Sequence, residues 1–395
     1  MRSSRKFAWL SLFVVLAMVL SACGGPEATP AAAPPAKITE SAAVEATEAA
    51  EAAATEAATE AAATEAPTEA ATEAATEAAT EAATEAAAAP AAEEVSVALI
   101  TKTDTNDFFI KMKEGAEKEA AAKGVKLMTG AGAFDGDNEG QVTLVENMIN
   151  AGVKGILITA NQSKGIVPAI QKARDAGILV IALDTPLEPA DASDALFATD
   201  NLKAGVLIGQ YAKAAQGDKP AKIAMLDGTA GTTVDKQRHD GFLQGFGIQE
   251  GDPAIVCQAN ADGDNAKAQT AMENCLTKAP DINVIYTINE PTAAGANTAL
   301  KAAGIAPDDV VVVSVDGGCS PGLKGVADGT IDATSQQYPL LMASMGVDAI
   351  VDYAATGTKV SGYTDTGVNL IAGKALPGVD SKDVAFGLEQ CWGKK

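Results

Sequence analysis

Short apolar runs alternate with helical patterns along the chain from residue 95 onward. The runs are rich in Val, Ile, Leu and Ala, and between them apolar residues recur at helical spacing up to Gly- or Pro-marked ends. The pattern predicts strands at 95–100, 125–128, 155–159 and 178–183, and then at 222–226, 254–257, 284–288, 310–315 and 331–335. Strands that are apolar on both faces and alternate with helices indicate parallel sheets covered on both sides.

The length of this alternating part predicts two lobes. Residues 95–395 exceed what a single hydrophobic core usually holds, and the alternation starts again near Asn201. We therefore expect an α/β fold of two lobes, each a parallel sheet flanked by helices. Ligands of such open sheets bind outside the carboxyl ends of the strands, and candidate chemistry is expected there.

The chain begins with a segment typical of export. Three basic residues among the first six precede an apolar run, 7–20, that is short for a membrane span, and LSAC at 20–23 is a lipobox-type cleavage site. We predict a removed signal peptide at 1–22 and a lipidated Cys23 that anchors the protein to the cell membrane, on its periplasmic or extracellular face. The alternative is a short signal anchor with an unmodified cysteine.

A low-complexity segment follows, and with the cysteine it covers residues 23–94. It consists almost entirely of Ala, Glu, Thr and Pro, with a near-exact TEAA repeat from 68 to 87. Because it has few large apolar side chains to bury, it cannot offset the entropy lost on ordering. We predict a disordered spacer that holds the lobes away from the membrane surface.

The charge of the chain excludes nucleic acid as a partner. The formal net charge is −23, and acidic residues occur in both the spacer and the predicted lobes. A nucleic-acid partner requires a basic face, and the sequence has no basic run or stripe that would form one. With a single histidine, His239, and no C-x-x-C spacing, we also predict no metal site and no cofactor.

Four cysteines lie beyond Cys23, an even number that fits an oxidising compartment. Three pairings are possible. We prefer Cys257 with Cys275, within one strand-to-helix unit, and Cys319 with Cys391, which would fix the C-terminus. Free buried thiols are the alternative.

Polar and aromatic side chains follow several of the predicted strands or begin the next helix. They are Asn106, Phe108, Phe109, Asp184, Arg238, Asn289, Asp316 and Gln337. Such a mixture suits a neutral polyhydroxylated ring, whose C–H faces stack on aromatic rings while its hydroxyls bond to charged groups. We expect one of the two phenylalanines to face the cleft and the other to pack. The alternatives are helix caps or turns for the two aspartates and an exposed charge for the arginine.

Two other features allow more than one interpretation. The loop 228–233 (GTAGTT) could cradle a phosphate at a helix N-terminus, but it lacks a following lysine and Walker spacing. A loop near the cleft is the better interpretation. His239 is interpreted as a surface residue rather than a catalyst.

Six short motifs in residues 95–395 together resemble one protein family. They are 99–103 (LITKT), 133–138 (AFDGDN), 195–201 (ALFATDN), 270–275 (TAMENC), 335–341 (SQQYPLL) and 391–393 (CWG). The chain resembles the type I periplasmic binding proteins of sugar ABC transporters, in the ribose-binding branch. Within that branch the motifs look most like those of fructose-binding members.

The resemblance implies both a site and a lobe organisation. It places Asn106, Phe108, Phe109 and Asp184 in the first lobe, Arg238, Asn289 and Asp316 in the second, and Gln337 at a crossover. It also implies crossovers near Asp200, near Gln337 and after Ala372. The expected N-terminal lobe is 95–199 plus 337–372, and the expected C-terminal lobe is 200–336 plus 373–395.

Two positions depart from the ribose-binding pattern. Thr185 stands where ribose-binding members commonly have arginine, and Gly263 stands where they have a stacking phenylalanine. Both departures favour a differently shaped sugar, such as fructose. We expect Asp262 or Asn265 to fill the space left by the missing ring.

The sequence therefore predicts a receptor that closes two lobes on a monosaccharide, fructose in preference, and delivers it to an ABC permease. One alternative is a sugar receptor for a sensor kinase or chemoreceptor. Another is a secreted sugar-modifying enzyme, with Asp184 and Asp316 as an acid–base pair. A transcription repressor with the same core would need a DNA-reading domain where this chain has its spacer.

Overall fold

The computed structural model describes residues 94–393. The predicted signal peptide, Cys23 and the spacer up to residue 93 lie outside the described residues. Within 94–393, no helix is long and apolar enough to cross a membrane, and no group of three or more His, Cys, Asp or Glu side chains is arranged to hold a metal ion.

Strands and helices alternate along the described chain. The strands are β1 (Ser96–Thr101), β2 (Lys126–Ala131), β3 (Gly155–Ile158), β4 (Leu179–Leu183), β5 (Ala195–Ala198), β6 (Ile223–Asp227), β7 (Ile255–Asn260), β8 (Val284–Thr287), β9 (Val311–Asp316), β10 (Ala333–Gln336), β11 (Gly362–Asp365) and β12 (Asn369–Ala372). The α-helices are α1 (Asp107–Lys123), α2 (Asn138–Asn150), α3 (Val167–Asp175), α4 (Asn201–Gln216), α5 (Thr233–Phe246), α6 (Asn265–Lys278), α7 (Glu290–Ala302), α8 (Lys324–Asp328), α9 (Pro339–Thr356) and α10 (Val384–Gln390).

Each lobe is built on one six-stranded sheet. The first has the order β11-β5-β4-β3-β1-β2 and is parallel throughout. The second has the order β12-β10-β9-β8-β6-β7 and is parallel except for β12, which runs antiparallel to β10. The predicted α/β fold of two parallel-sheet lobes is confirmed.

The chain passes between the lobes three times: after β5, between β10 and α9, and between β11 and β12. The third passage lies at 366–368, earlier than expected. The boundary at 372 is wrong because residues 369–372 form β12, which hydrogen-bonds to β10 in the second lobe, and Leu370 packs into that lobe's core.

Apolar side chains cover both faces of each sheet. In β1, Val97 and Leu99 point into the core beneath α1 and α9, whereas Ala98 and Ile100 point into the core beneath α2 and α3. Alternate residues of one strand thus enter two different cores, which is why the strands show no polar face in the sequence.

Helices α4 and α5 of the second lobe approach each other through glycines. A Cβ atom built at Gly209 would lie 2.4 Å from the carbonyl oxygen of Phe242, and one at Gly241 would lie 2.3 Å from that of Leu202. Gly205 and Gly245 meet the facing backbone at similarly short distances. The two helices therefore pack backbone against backbone, and no larger residue fits at these positions.

Two disulfides lie in the second lobe. Cys257 in β7 is bonded to Cys275 in α6, and Cys319 is bonded to Cys391, with Cα–Cα distances of 5.5 and 5.0 Å. This is the pairing preferred from the sequence. The second bond holds the chain end, where Trp392 packs edge-on against Phe108 of the first lobe at 5.4 Å between ring centroids.

Candidate ligand-binding site

One cavity between the two lobes contains all eight residues predicted to bind ligand. Its walls surround about 430 Å³ of space, open solvent at its mouth included, and it lies at the carboxyl ends of the strands, as expected for open parallel sheets. The predicted residues in its wall are Asn106, Phe108, Phe109, Asp184, Arg238, Asn289, Asp316 and Gln337.

The start of α1 supplies an amide and two rings from the first lobe. The side-chain oxygen of Asn106 accepts a hydrogen bond from the backbone N–H of Phe108 at 2.9 Å and caps the helix. Phe108 and Phe109 are both buried, and their rings meet edge to face at 5.3 Å. Contrary to the expectation that only one would face the cleft, both contribute to the cavity wall.

Asp184 directly follows β4 and presents one free carboxylate oxygen. Its backbone has φ of 59°, a left-handed conformation that Asp and Asn tolerate better than most residues. The Thr185 hydroxyl donates to Asp184 Oδ2 at 2.8 Å. Oδ1 is buried without a hydrogen-bond partner in the described protein. Thr185 thus supports the carboxylate through a neutral hydroxyl.

Arg238 connects the two halves of the site. Its Nε donates to Asn201 Oδ1 at 2.8 Å and its Nη1 to the Ile288 carbonyl at 3.0 Å. Its Nη2 lies 3.6 Å from Asp184 Oδ1 of the first lobe, and Nη1 lies 3.8 Å from Asp316 Oδ1 of the second. At 4 % exposure it is not a surface helix charge.

Asp316 ends β9 and is supported from behind by Glu290. Burial raises the pKa of Asp316 to about 7, against the opposing effects of Arg238 and of the Gln337 amide, which donates to Oδ1 at 2.7 Å. Burial and the charge of Asp316 raise the pKa of Glu290 well above its usual range. The Glu290 carboxyl accepts hydrogen bonds from the backbone N–H groups of Gly317 and Gly318. It therefore fixes the turn that follows Asp316.

Asn289 caps α7 and presents its amide nitrogen to the cavity. Its Oδ1 accepts from the backbone N–H and the hydroxyl of Thr292 at 3.1 and 2.8 Å. A Cβ built on Gly263 would lie 2.9 Å from Asn289 Nδ2, so a larger residue at 263 would crowd this amide. We expected Asp262 or Asn265 to fill this space. The expectation is wrong for Asp262, whose carboxylate accepts a hydrogen bond from Lys267 Nζ at 2.8 Å instead. Asn265 lines an adjacent groove.

Three further charged residues line the cavity and were not predicted. Lys102 follows β1 and is 5 % exposed, and its side-chain ammonium makes no hydrogen bond or ion pair among the described residues. Asp135 accepts from the Thr229 hydroxyl at 2.8 Å. Burial, followed by the charge of Asp227, raises the pKa of Asp235 to about 6. The position of Lys102 directly after a strand was the signal that could have identified it.

The cavity offers both donors and acceptors that protein groups leave unused. Among the described residues, the donors in the cavity wall that make no hydrogen bond are Lys102 Nζ, Asn106 Nδ2, Arg238 Nη2 and Asn289 Nδ2, and the buried acceptors without one are Asp184 Oδ1 and Gln337 Oε1. Buried polar groups are costly unless they are hydrogen-bonded. A hydroxyl both donates and accepts, so a compact molecule with several hydroxyls and an apolar face satisfies these groups together.

The loop 228–233 does not form a phosphate cradle. Its N–H groups at Gly228, Thr232 and Thr233 already donate to Asp235 Oδ1, to the Thr229 carbonyl and to Ser163 Oγ. Thr229 and Thr232 line the cavity. The alternative of a loop beside the cleft is the one that the structure bears out.

His239 is buried, contrary to its interpretation as a surface residue. Its Nδ1 lies 2.7 Å from Asp227 Oδ1 and its Nε2 lies 2.8 Å from Glu250 Oε2. Burial alone would lower the pKa of His239, but the hydrogen bonds and charges of Asp227 and Glu250 outweigh it and raise the pKa to about 9. The imidazolium is a structural link between α5, β6 and the segment after α5.

This raised pKa predicts how the stability contribution of His239 depends on pH. The folded protein holds the proton more tightly than the unfolded chain, so the contribution is complete below the ordinary pKa of 6.5 and is lost as pH rises through about 9. We expect His239→Gln to lower the melting temperature most near pH 6, with a difference from the native chain that shrinks steadily toward pH 9. Thermal unfolding of both proteins across this range measures the difference. A gap that stays constant or widens would contradict the ion-paired histidine.

The fold and the polar cavity between its lobes define a solute-binding protein. Residues 97–359 match the family described as periplasmic binding protein domain, and the chain belongs to this family. Its relatives are binding proteins, so the chain is not an enzyme, and the acid–base role considered for Asp184 and Asp316 does not apply.

Several relatives and solved structures are similar over most of their length. The ribose import binding protein of Salmonella typhimurium is 33% identical over 70% of this chain and 90% of its own. The D-allose-binding periplasmic protein of Escherichia coli is 30% identical over 68% and 86%. A solute-binding protein of Actinobacillus succinogenes with bound D-allose has a TM-score of 0.63 and 30% identity over 71% and 98%. A galactofuranose binding protein has a TM-score of 0.66 and 26% identity over 75% and 97%.

Proposed function

We propose that this chain is a lipid-anchored receptor that captures a monosaccharide between its lobes and delivers it to an ABC permease. The observation that carries the proposal is the set of unused donors and acceptors in a cavity whose two halves come from different lobes. A ligand can bond to both halves only when the lobes are together. Binding therefore favours the closed form, which a membrane partner can distinguish from the open one.

The relatives support a sugar as the ligand. Those named above bind ribose, D-allose or galactofuranose according to their descriptions. The cavity supports a neutral sugar in particular, because Asp135, Asp184, Asp235 and Asp316 outnumber its two cations, Lys102 and Arg238. An anionic sugar would meet a surplus of carboxyl groups there.

Fructose is the sugar that we propose. The motifs resemble those of fructose-binding members. Of the two departures from the ribose-binding pattern, Gly263 lies in the cavity wall and Thr185 lies behind the wall residue Asp184. Thr185 donates to Asp184 in place of a guanidinium, and Gly263 leaves the face beside Asn289 without a ring. These changes alter the shape of the site and the positions of its donors.

The anchor is proposed from the sequence. A lipidated Cys23, followed by the spacer to residue 94, would hold the lobes outside the membrane within reach of a permease. Mass spectrometry of the protein from membranes of expressing cells tests this, because a lipidated N-terminal cysteine adds the mass of its acyl chains. A chain that begins at Met1, or an unmodified Cys23, would exclude the anchor.

A panel of sugars tests the proposed ligand. We expect D-fructose to bind at least tenfold tighter than D-ribose, a difference of about 1.4 kcal/mol. Titration calorimetry with fructose, ribose, allose, galactofuranose, glucose, galactose, xylose and arabinose measures it. If ribose or allose binds more tightly, the preference for fructose is wrong and the sugar-receptor function stands. If no sugar binds, the function itself is refuted.

A further inference from the structure

The loop between β6 and α5 reaches across the cleft and hydrogen-bonds to the first lobe. The bonds are Thr229 Oγ1 to Asp135 Oδ1 at 2.8 Å, Gln162 Nε2 to the Ala230 carbonyl at 3.0 Å, Ser163 N to the Gly231 carbonyl at 3.2 Å, Thr233 N to Ser163 Oγ at 2.9 Å, and Thr233 Oγ1 to both Ser163 Oγ and the Pro186 carbonyl. All of them join one lobe to the other. Separation of the lobes at this place would break them.

Ser163 and Thr233 form the centre of this contact. The Thr233 hydroxyl has one proton, which it donates to the Pro186 carbonyl. In the 3.1 Å contact between the two hydroxyls, Ser163 is therefore the donor, while its oxygen accepts from Thr233 N. The first residue of α5 is thus held by a closed set of bonds. Neither Ser163 nor Thr233 is part of the cavity wall.

The backbones at this contact approach closely. Gly231 has φ of +90°, and a Cβ atom built on it would lie 2.3 Å from Gln162 Oε1. Only glycine adopts this conformation without strain, and the Gln162 oxygen it meets is the end of a flexible side chain. The loop is thus shaped to meet the first lobe, which distinguishes it from a loop that merely passes nearby.

We propose that Ser163, Thr233 and the Pro186 carbonyl form a latch that sets the lifetime of the closed form, and with it the rate at which sugar leaves. The proposal rests on the sugar-receptor function. In the open form these groups bond to water, and in the closed form they bond to each other. A change that spoils the bonds therefore destabilises the closed form alone and shifts the population toward the open form.

Thr233→Val tests the latch without altering the cavity. Valine keeps the branched shape but removes the hydroxyl, which leaves the Pro186 carbonyl and Ser163 facing a methyl group only when the lobes are closed. We expect the dissociation rate of D-fructose to rise about tenfold while the association rate changes less than twofold. The melting temperature of the sugar-free protein should change little, because the open form does not contain these bonds.

Tryptophan fluorescence provides the rate measurement. Trp392 contacts Phe108 and donates to the Gln337 carbonyl at 3.0 Å, so it adjoins the cleft. The other tryptophan of the chain, Trp9, precedes the expected cleavage site. Stopped-flow mixing of the full chain with fructose gives association, and dilution of the complex gives dissociation. D-Ribose serves as a second probe.

Two further variants separate the latch from a general loss of structure. Thr270→Val makes the same change on α6, where the hydroxyl bonds to the Ala266 carbonyl of its own helix, and should leave both rates unchanged. Ser163→Ala should raise the dissociation rate, and combining it with Thr233→Val should add less than the two single effects together because both remove the same contact.

The outcomes distinguish the latch from the proposed function. Small-angle scattering of the sugar-free protein measures closure without any ligand, and Thr233→Val should increase the radius of gyration relative to the native chain. If the native chain binds no sugar, the proposed function fails and the scattering still decides the latch. If the chain binds sugar but Thr233→Val leaves the dissociation rate unchanged, the latch alone is refuted. A rate change matched by a fall in melting temperature would also refute it.

Discussion

Replacing Asp184 by asparagine is expected to weaken sugar binding by roughly ten- to a hundredfold. Its Oδ1 is buried without a hydrogen-bond partner and faces the cavity, and a hydrogen bond to a charged acceptor is worth about 1.5–3 kcal/mol. Asparagine tolerates the left-handed backbone of this position as well as aspartate does. Titration calorimetry of the native and variant proteins measures the loss.

The stability of the sugar-free protein should change little in this variant. Asp184 and its charge partner Arg238 lie on different lobes, 3.6 Å apart, so their interaction belongs to the closed form. Asp184 and Asp316 are each 3 % exposed in this arrangement of the lobes. Asp175→Asn, on the exposed end of α3, is the matched control and should leave affinity unchanged.

Asp316→Asn extends the test to the second lobe. We expect a similar loss of affinity, and a double variant whose loss exceeds the sum of the two, because each removal lowers the closed population that the other supports. If Asp184→Asn binds as tightly as the native protein, the first-lobe half of the site is misplaced. If Asp316→Asn binds as tightly as the native protein, the second-lobe half of the site is misplaced.

Removing the disulfide between Cys319 and Cys391 is expected to lower both stability and affinity. The bond spans 72 residues, and the chain-entropy model gives a stabilisation of about 4 kcal/mol for a loop of this size. It also holds Trp392, whose carbonyl accepts from Cys319 N at 2.7 Å and whose indole packs on Phe108. Denaturant unfolding and sugar titration of a Cys319→Ala, Cys391→Ala protein measure the two effects.

The other disulfide provides the matched comparison. Cys257 and Cys275 are 18 residues apart, for which the same model gives about 3 kcal/mol, and neither is part of the cavity wall. A Cys257→Ala, Cys275→Ala protein should lose stability and keep its affinity. Equal losses of affinity in both proteins would show that Trp392 has no special role in the cleft.

Of the twelve strands in the described residues, the sequence predicted nine and missed β5, β11 and β12. Strands such as β1 and β4 are buried on both faces, so their composition alone identifies them. The edge strand β11 is largely exposed and has no such pattern. Strand β12 is short and pairs with a strand more than thirty residues earlier in the chain. Long-range pairing of this kind decides which lobe a segment joins, and it leaves no local signal.

The site residues were predictable where two arguments agreed: ligands bind at the carboxyl ends of parallel strands, and the motifs resemble those of sugar-binding proteins. Asp184 and Asp316 follow strands directly, and the carboxyl ends of parallel strands meet at one edge. Lys102 also follows a strand, but a lysine there reads as an ordinary solvated charge until its burial is known. His239 was misinterpreted because its burial, too, is not visible in the local sequence. Its partners Asp227 and Glu250 come from β6 and from the segment after α5.

The glycine contact between α4 and α5 limits how the sugar preference of this protein can be changed. Arg238 is carried by α5 and bonded to Asn201 at the start of α4, and the two backbones are already too close to shift toward each other. Lys102 and Asp135 instead come from loops, which accept substitutions far more readily. Substitutions that change the ligand would therefore occur mainly in the first-lobe loops. The guanidinium of Arg238 in the second lobe would keep its position.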